Sequence, residues 1–321
     1  MFFAKNIFLD QTKVAFLDQN KQPFAFAVTR GGDINFGDIY QARVLKKMPK
    51  LKAYFLDIGR SESVFLPTAH ELEEGQSITV EITSEARPGK TATCRLSPEQ
   101  KEGLPGLLQK GLIETIGTEI PWDDRYDEVF EQTLHPIAVF ADGAEVIFER
   151  TMAFWSIDID SAKSILPLFQ INQEAAAVIG KEIIRRNLAG NIIIDFIGKK
   201  KRKELTELLD ILRSELDKST IPFQIMGISP MGNVEIRRER RRAALTDTAK
   251  GLSAMAYQLF ENILKTPSYQ LQIDVSPQLY KHLQTDLKNA LSLTEAKKGE
   301  KLSLTVNTNE NAYQIKEKKH G

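Results

Sequence analysis

The hydrophobic pattern in the middle of the chain predicts two strands. The run FWSIDIDSAK alternates apolar and polar residues, so that Asp158 and Asp160 share one face of a strand while isoleucines fill the other. The run GNIIIDFIGK contains three consecutive isoleucines, which predicts a strand buried on both faces, as in parallel sheets covered by helices. Asp195 follows these isoleucines directly. Both predicted strands therefore end at acidic side chains.

A single helix is predicted between the two strands. Residues 172–187 have an apolar residue at every fourth position from Ala175 to Ile183, with charged residues outside this stripe. A strand, helix and strand unit of this length joins neighbouring parallel strands, and ligands of open sheets bind where such strands end. The pattern thus predicts that the acidic residues of the two strands lie close together.

These acidic residues suggest a divalent-metal site for phosphodiester chemistry. Mg²⁺ prefers hard oxygen ligands and commonly takes one or two carboxylates, while water and phosphate oxygens complete its shell. Asp158 and Asp195 are the candidate ligands, with Asp160 beside them. The same spacing allows one or more of these residues to cap a helix or to pair with an arginine, so both interpretations stay open on spacing alone.

The rest of the pattern predicts an α/β protein with four regions. We expect an N-terminal β segment of the catalytic core over residues 1–36 and a small five-strand barrel over residues 37–97. An α/β unit with the acidic residues should occupy residues 98–245, and an α+β module residues 246–321. Residues 101–121, with four glycines and two prolines, are predicted to form a connector.

Two phenylalanines in the predicted barrel are candidates for RNA contact. Phe55 and Phe65 lie on successive strands, with several lysines close by in the sequence. OB-type barrels hold single-stranded nucleic acid on aromatic side chains beside cations. The alternative is packing in the barrel core, which the sequence by itself favours for two phenylalanines in a small barrel.

Basic residues near the predicted strands are candidates for phosphate contact. Arg237, Arg238 and Arg240 follow a predicted strand, and the guanidinium fork matches phosphate oxygens. Lys90, in a predicted turn of the barrel, is a further candidate, and the run Lys199–Lys203 places cations where a helix begins. The alternative is that these charges only form solvated faces.

Composition excludes several classes of protein. The 321 residues are 42% hydrophobic and 27% charged, with a net charge of zero, so RNA binding requires a local basic patch. Cys94 is the single cysteine, which excludes a disulfide framework and an ordinary zinc site. No apolar run has the length of a membrane helix, and no glycine-rich phosphate loop follows a predicted strand. We expect a soluble, unprocessed cytoplasmic protein.

These motifs resemble those of the bacterial ribonuclease E/G endoribonucleases. The run AFWSIDIDSAK is similar to the first catalytic-aspartate motif of the family, and INQEAAAVIGKEIIRRNLAGNIIIDFI to its helix and second-aspartate motif. The run MGNVEIRRERRR resembles the segment that follows, and residues 35–67 resemble the embedded OB-type RNA-binding domain. The resemblance covers roughly residues 1–97 and 140–245, and the tail more faintly.

The resemblance implies a fold, an activity and residue roles. It implies an RNase H-like and DNase I-like catalytic core with a mixed sheet and an inserted OB-type barrel. Asp158 and Asp195 would bind Mg²⁺, with Mn²⁺ as a substitute, and Lys163 would lie close to the site. Phe55 and Phe65 would contact RNA. The implied reaction is cleavage of single-stranded RNA that leaves 5′-phosphate and 3′-hydroxyl ends.

Three departures from the family pattern change these expectations. The cysteine pair of the zinc-linked dimer is absent, so no zinc is expected and a homodimer would need another contact. Roughly forty residues separate the barrel from the EVIFER strand, too few for the usual five-prime-end sensor. Asp160 replaces an asparagine, and the loop over residues 164–170 is shortened. The alternative function is therefore a catalytically weak or inactive RNA-binding protein on the same scaffold.

Overall fold

The computed structural model describes five ranges of the chain: residues 2–97, 118–198, 201–267, 270–308 and 313–317. Most of the predicted connector over residues 101–121 lies outside these ranges, as do the first two residues of the basic run Lys199–Lys203. Within the described ranges, no helix combines the length and the apolar character that a membrane crossing requires.

The N-terminal segment forms an antiparallel sheet of its own. Its strands are β1 (Phe2–Phe8), β2 (Gln11–Leu17) and β3 (Pro23–Thr29). They pair in the order β1 with β2 and β2 with β3. This segment therefore adds a separate layer to the protein and does not join the sheet that carries Asp158.

The predicted five-strand barrel is present. Its strands are β4 (Ile39–Met48), β5 (Ala53–Asp57), β6 (Val64–Pro67), β7 (Ser77–Ser84) and β8 (Thr93–Leu96). They close in the order β4-β5-β6-β8-β7. Alternate side chains such as those of Tyr54, Leu56 and Leu66 fill the interior, because successive residues of a strand point to opposite faces.

A short strand and a helix connect the N-terminal sheet to the second half of the chain. Strand β9 (Thr118–Ile120) pairs in parallel with β1, and helix α1 (Asp124–Leu134) follows. The Asp123 carboxylate accepts a hydrogen bond from the Arg125 amide and caps the helix. Phe130 of α1 packs edge-to-face on Phe26 of β3, with ring centroids 5.4 Å apart.

A six-stranded mixed sheet carries the predicted acidic residues. Its elements are β10 (Ile137–Phe140), β11 (Ala144–Arg150), β12 (Phe154–Asp160), α2 (Leu168–Arg185), β13 (Gly190–Asp195), α3 (Arg202–Leu216), β14 (Phe223–Ile228) and β15 (Val234–Arg238). The strand order is β10-β11-β12-β13-β15-β14, and only the neighbours β12 and β13 are parallel. The predicted crossover helix between two parallel strands is thus confirmed.

Among the described residues, helices cover only one face of this sheet. Ile192 and Ile194 are buried beneath α2 and α3, whereas Ile193 between them is only half-buried. The expectation that this strand is buried on both faces was therefore wrong. Both helices pack on the same side, so the opposite face stays open and carries exposed polar residues such as Asp158 and Arg237.

The C-terminal part forms an α+β module with its own core. Its elements are α4 (Leu245–Lys250), α5 (Leu252–Lys265), β16 (Leu271–Val275), α6 (Pro277–Gln284), α7 (Lys288–Lys298), β17 (Ser303–Val306) and β18 (Tyr313–Glu317). The strands pair in the order β17-β16-β18. Phe8 and Leu9 of the N-terminal segment pack against this core, which holds the module on the rest of the protein.

Candidate functional site

The ends of β12 and β13 bring Asp158 and Asp195 together. The two residues are direct partners in the parallel register of these strands. Neighbouring strands lie about 4.8 Å apart, and residues that face each other across them point to the same side of the sheet. Both side chains are exposed on the open face. The site therefore presents two carboxylates side by side at the carboxyl ends of parallel strands.

Asp160 lies two residues further along β12, on the same face. Its Oδ1 accepts a hydrogen bond of 2.7 Å from the Ala162 amide, which holds the turn after the strand. Glu145 of β11 is its partner across the antiparallel register. Within the part of the chain that the structure describes, no group of three or more histidine, cysteine, aspartate or glutamate side chains is arranged to hold a metal ion. The geometry therefore offers a two-carboxylate site with a third carboxylate near it.

Lys163 follows β12 and lies against the turn between β10 and β11, where its Cβ is 3.8 Å from the position that a β-carbon on Gly143 would take. The Asp142 carboxylate in that turn accepts a hydrogen bond of 3.1 Å from the Ile165 amide. A hydrogen bond from Ser164, together with the Ile165 amide, lowers the pKa of Asp142. Lys163 itself is exposed. Asp142 lies in a hairpin turn, and its contact with Ile165 has no local sequence signal, because it joins two segments that are distant in the sequence.

Asn172 of α2 fixes the chain directly after Asp195. Its buried side-chain amide donates to the Ile197 carbonyl and its side-chain oxygen accepts from the Ile197 amide, both at 3.0 Å. This role of Asn172 was not predicted. A signal existed, because Asn172 precedes Ala175 and Ala176 by three and four residues and so lies on the apolar stripe of the helix. A polar residue on that stripe indicates a buried hydrogen-bonding partner.

The predicted phosphate-contacting arginines have different environments. Arg237 is exposed on the open face of the sheet, opposite Asn191. Arg238 is buried at 2% exposure and donates to the Asn187 side chain, the Leu188 carbonyl and the Ser219 hydroxyl. Burial lowers the pKa of Arg238 to about 10. Arg238 therefore has a structural role, and the prediction of RNA contact is corrected at this position.

Arg240 and Lys90 do not lie at the acidic residues. They line a cavity of about 270 Å³ between the barrel and the beginning of β12 and β13. Asp158 and Asp195 are at the opposite ends of these strands. The structure thus separates the predicted cations from the predicted metal ligands along the sheet.

Phe55 and Phe65 are register partners on the outside of the barrel. Their ring centroids lie 5.5 Å apart at an interplanar angle of 62°. The flanking residues Tyr54, Leu56 and Leu66 point into the barrel core, so the two phenylalanines point outward and are half-buried. Core packing, which the sequence by itself favoured, is therefore not their role. Lys46 lies opposite Phe55 on β4 and places a cation next to the aromatic pair.

Comparison with known proteins identifies relatives for a large part of the chain. Residues 110–241 match the model of the Ribonuclease E/G family. Ribonuclease G of Salmonella typhimurium (strain SL1344) is 25% identical over 230 residues, which cover 64% of this chain and 47% of that protein. The Ribonuclease E/G-like protein of Guillardia theta is 30% identical over 144 residues, 43% of this chain and 34% of that protein.

A third relative matches a shorter part of the chain. Ribonuclease E of Synechocystis sp. (strain ATCC 27184 / PCC 6803 / Kazusa) is 31% identical over 123 residues, 36% of this chain and 18% of that protein. The chain spans about half the length, 47%, of the ribonuclease G proteins of Salmonella typhimurium (strain SL1344) and Escherichia coli (strain K12). The matched part includes both strands that end in acidic residues.

Proposed function

Because the chain belongs to the ribonuclease E/G family, we propose that it is a metal-dependent endoribonuclease that cleaves single-stranded RNA. The products would carry 5′-phosphate and 3′-hydroxyl ends, and the reaction would serve RNA processing or decay. The observation that supports this proposal most directly is the register pairing of Asp158 with Asp195 on the open face of the sheet.

The residues at these strand ends fit Mg²⁺. Asp158 and Asp195 offer exposed carboxylates on one face, and Mg²⁺ commonly uses one or two carboxylates and keeps several waters. A set of oxygen ligands also suits Mn²⁺, but does not favour zinc, which prefers sulfur and nitrogen ligands. When bound, the ion would polarise the scissile phosphate and lower the pKa of a bound water.

The remaining side chains would position the substrate and balance charge. Asp160 has one oxygen bound by the Ala162 amide, so its second oxygen can accept a hydrogen bond from a water near the phosphate. Lys163, an exposed cation three residues after Asp160, would offset the negative charge that develops on the phosphate during cleavage. Asn172 would keep Asp195 in register by fixing the chain that follows it.

The barrel would hold the RNA strand by stacking. The outward pair of Phe55 and Phe65 offers two aromatic faces next to Lys46, and bases of any sequence can stack on such faces. We therefore propose unstructured, single-stranded RNA as the partner, because paired bases cannot stack on a protein surface.

A cleavage assay tests the catalytic proposal. The purified protein is incubated with an unstructured RNA and Mg²⁺, and the 5′ ends of the fragments are analysed. Asp158→Asn and Asp195→Asn should each reduce the cleavage rate by at least about 100-fold, because the metal contributes several kcal/mol to the transition state. Asp210→Asn, an exposed position of α3, is the matched control and should retain activity. Cleavage that persists in both site variants would disprove the proposed site.

A second function is favoured by one observation. The aromatic pair on the barrel does not depend on the carboxylates, so RNA could bind to it without being cleaved. The alternative is an RNA-binding protein with little or no turnover. RNA binding by the wild-type protein without fragments in Mg²⁺ or Mn²⁺ would establish this alternative.

A further inference from the structure

A cavity of about 270 Å³ lies at the beginning of β12 and β13, between the sheet and the barrel. One wall is the barrel turn from Arg87 to Lys90, which two backbone hydrogen bonds of 3.0 and 2.8 Å close. The other walls come from the segment between β11 and β12 and from the chain after β15. We call this cavity the basic cleft, because five of its lining residues are cationic: Arg87, Lys90, Arg150, Arg240 and Arg242.

The two acidic residues of the basic cleft are already engaged. Asp247 forms an ion pair with Arg150. Glu85 accepts hydrogen bonds from the amides of Phe36 and Ala243 at 3.1 and 2.8 Å, and it pairs with Arg242 at 3.4 Å. Two of the five cations are therefore compensated by acidic partners within the cleft.

The other three cations, Arg87, Lys90 and Arg240, have no ion pair among the described residues. The charges nonetheless lie close enough to act on one another. Burial, and then the charges of Arg87, Arg150 and Arg237, lower the pKa of Arg240. Uncompensated like charges that face a shared cavity repel each other, and a bound anion would remove this cost.

The cationic side chains are held in place by packing. The Arg240 guanidinium lies directly on the backbone of Gly190, so that a β-carbon on Gly190 would collide with it. The φ of Gly190 is +90°, a conformation that favours glycine. The Arg150 guanidinium lies over the Trp155 ring, 5.2 Å from its centroid. Preorganised cations of this kind bind an anion at a lower entropic cost than flexible surface side chains do.

We propose that the basic cleft binds a phosphate group of the RNA backbone, several nucleotides away from the cleaved bond. This inference rests on the proposed function. Guanidinium groups match phosphate oxygens bidentately. Arg87 and Arg240 are the guanidinium groups of the cleft that form no ion pair among the described residues, although the charge of Arg87 also acts on Asp247. From Asn191 at the cleft to Asp195 the strand runs four residues, about 13 Å at 3.3 Å per residue. The open face between them carries Ser156 and Arg237 beside the half-buried Ile193.

Binding of a labelled, unstructured RNA oligonucleotide without Mg²⁺ tests this site. In Arg87→Gln/Arg240→Gln the Kd should rise about tenfold, and the slope of log K against log salt should fall by about 0.7 for each phosphate that the variant no longer neutralises. Arg213→Gln/Lys265→Gln removes the same charge from exposed helix positions and should leave the slope unchanged. Lys90→Gln is a second test, because Lys90 lies in an exposed turn where the substitution should not disturb folding. Its Kd for RNA should also rise.

A scan with neutral methylphosphonate linkages identifies the group that is bound. One linkage is neutralised in each oligonucleotide. At one internal position this should weaken binding to the wild-type protein about five- to tenfold, but leave binding to Arg87→Gln/Arg240→Gln unchanged. Each oligonucleotide is also compared with a 5′-phosphate and a 5′-hydroxyl, because an effect confined to the 5′-phosphate would identify a terminal phosphate instead.

The outcomes of these experiments distinguish failure of the proposal for the basic cleft from failure of the proposed function. If the wild-type protein binds RNA, and Arg87→Gln/Arg240→Gln and Lys90→Gln bind it with the same Kd and salt slope, the proposal of phosphate binding in the basic cleft is wrong. The proposed catalytic function would not be affected by that result. An effect that is confined to the 5′-phosphate would also contradict the proposal for the basic cleft. The same holds if Arg213→Gln/Lys265→Gln reduces the affinity as much as Arg87→Gln/Arg240→Gln does. Absence of RNA binding by the wild-type protein would overturn both proposals, whereas abolished cleavage with retained binding would affect only the catalytic one.

Discussion

Phe55 and Phe65 show how one residue position on a strand decides between core and surface. Each lies between two residues that fill the barrel, so each projects outward, and the two rings form an edge-to-face pair. Replacing either ring should not create a cavity in the core. The stability of the barrel and the binding of RNA can therefore be tested separately at these positions.

We predict that Phe55→Ala and Phe65→Ala each weaken RNA binding about 5- to 150-fold, because one stacked base contributes about 1 to 3 kcal/mol. Fluorescence anisotropy with a labelled oligonucleotide measures this change, and thermal unfolding should change little. Ile7→Ala, at an exposed position of β1, is the control for removal of a surface apolar side chain. Unchanged affinity in both phenylalanine variants would exclude the barrel pair as the RNA contact.

Arg237 and Arg238 show that neighbouring residues of one type can have different roles. Arg237 is exposed, whereas Arg238 shares its face with Val234 and Ile236, which are buried beneath the helices. The alternation of apolar and polar residues along β15 indicated this difference, since residues two apart on a strand share a face. What the sequence does not contain is the set of distant acceptors, from Asn187 to Ser219, that makes the burial of Arg238 possible.

At the scale of elements, α2 has two functions: it crosses over between the parallel strands, and its first turns hold the end of β13. The second function depends on Asn172, whose side chain satisfies both the amide and the carbonyl of Ile197. The position of the helix thereby constrains the position of Asp195, which lies two residues before Ile197.

We predict that Asn172→Ala lowers the free energy of unfolding by about 1 to 3 kcal/mol, because the partly buried amide and carbonyl of Ile197 would both lose their partner. Urea denaturation measures this change. At temperatures where the variant is folded, cleavage should also be slower, since Asp195 is less firmly positioned. Gln173→Ala, the next residue, is the control, and an equal effect of both changes would contradict the proposed role of Asn172.

The elements that the sequence predicted are those with local periodic patterns. The alternation of β12, the apolar stripe of α2 and the isoleucines of β13 each require only short-range information, and each element is present. The three isoleucines could not show whether a second helical layer exists, so the open face was not predicted. Pairing of β1 with β9 joins distant segments, and no local pattern encodes it.

The candidate site was predictable to a similar extent. That Asp158 and Asp195 end neighbouring parallel strands follows from local patterns and the geometry of a crossover. The cavity that contains Arg240 and Lys90 did not follow, because it forms only when the barrel packs against the sheet. Contacts between regions depend on the three-dimensional arrangement, whereas contacts within one supersecondary unit are encoded locally.

For the whole molecule, a chain of polar contacts connects the barrel, the N-terminal segment and the C-terminal module. Asp286 accepts hydrogen bonds from the Ser61 amide at 3.1 Å and from the Ser61 hydroxyl, and it lies 3.0 Å from His282 Nδ1. The other ring nitrogen of His282 is 3.0 Å from the Ser253 hydroxyl, which donates to Asp33 at 3.1 Å. These contacts hold three regions of the chain in a fixed arrangement.

The two acidic residues of this chain of contacts should respond to pH in opposite directions. Burial raises the pKa of Asp33, so its favourable contribution is present below the unfolded pKa of about 3.9 and is lost as pH rises through the folded value. For Asp286, burial acts to raise the pKa, but hydrogen bonds from Ser61 and His282 outweigh it and lower the pKa. Its contribution is present above about pH 3.9 and is lost as pH falls through the folded value.

We therefore predict that Asp286→Asn is less stable than the wild-type protein at neutral pH, and that this difference shrinks as pH falls below about 4. The side-chain oxygen of asparagine can still accept the hydrogen bond from the Ser61 amide, whereas an NH2 group replaces the oxygen that accepts from the Ser61 hydroxyl and faces His282. The variant therefore removes the negative charge together with one acceptor. Urea denaturation of both proteins from pH 7 to pH 3 gives the difference directly, and the contribution of Asp33 cancels because both proteins retain it. Asp210→Asn, at an exposed position of α3, controls for a general decrease of negative charge. A difference that stays constant across this pH range would show that the Asp286 carboxylate does not stabilise the contact between barrel and C-terminal module through its charge.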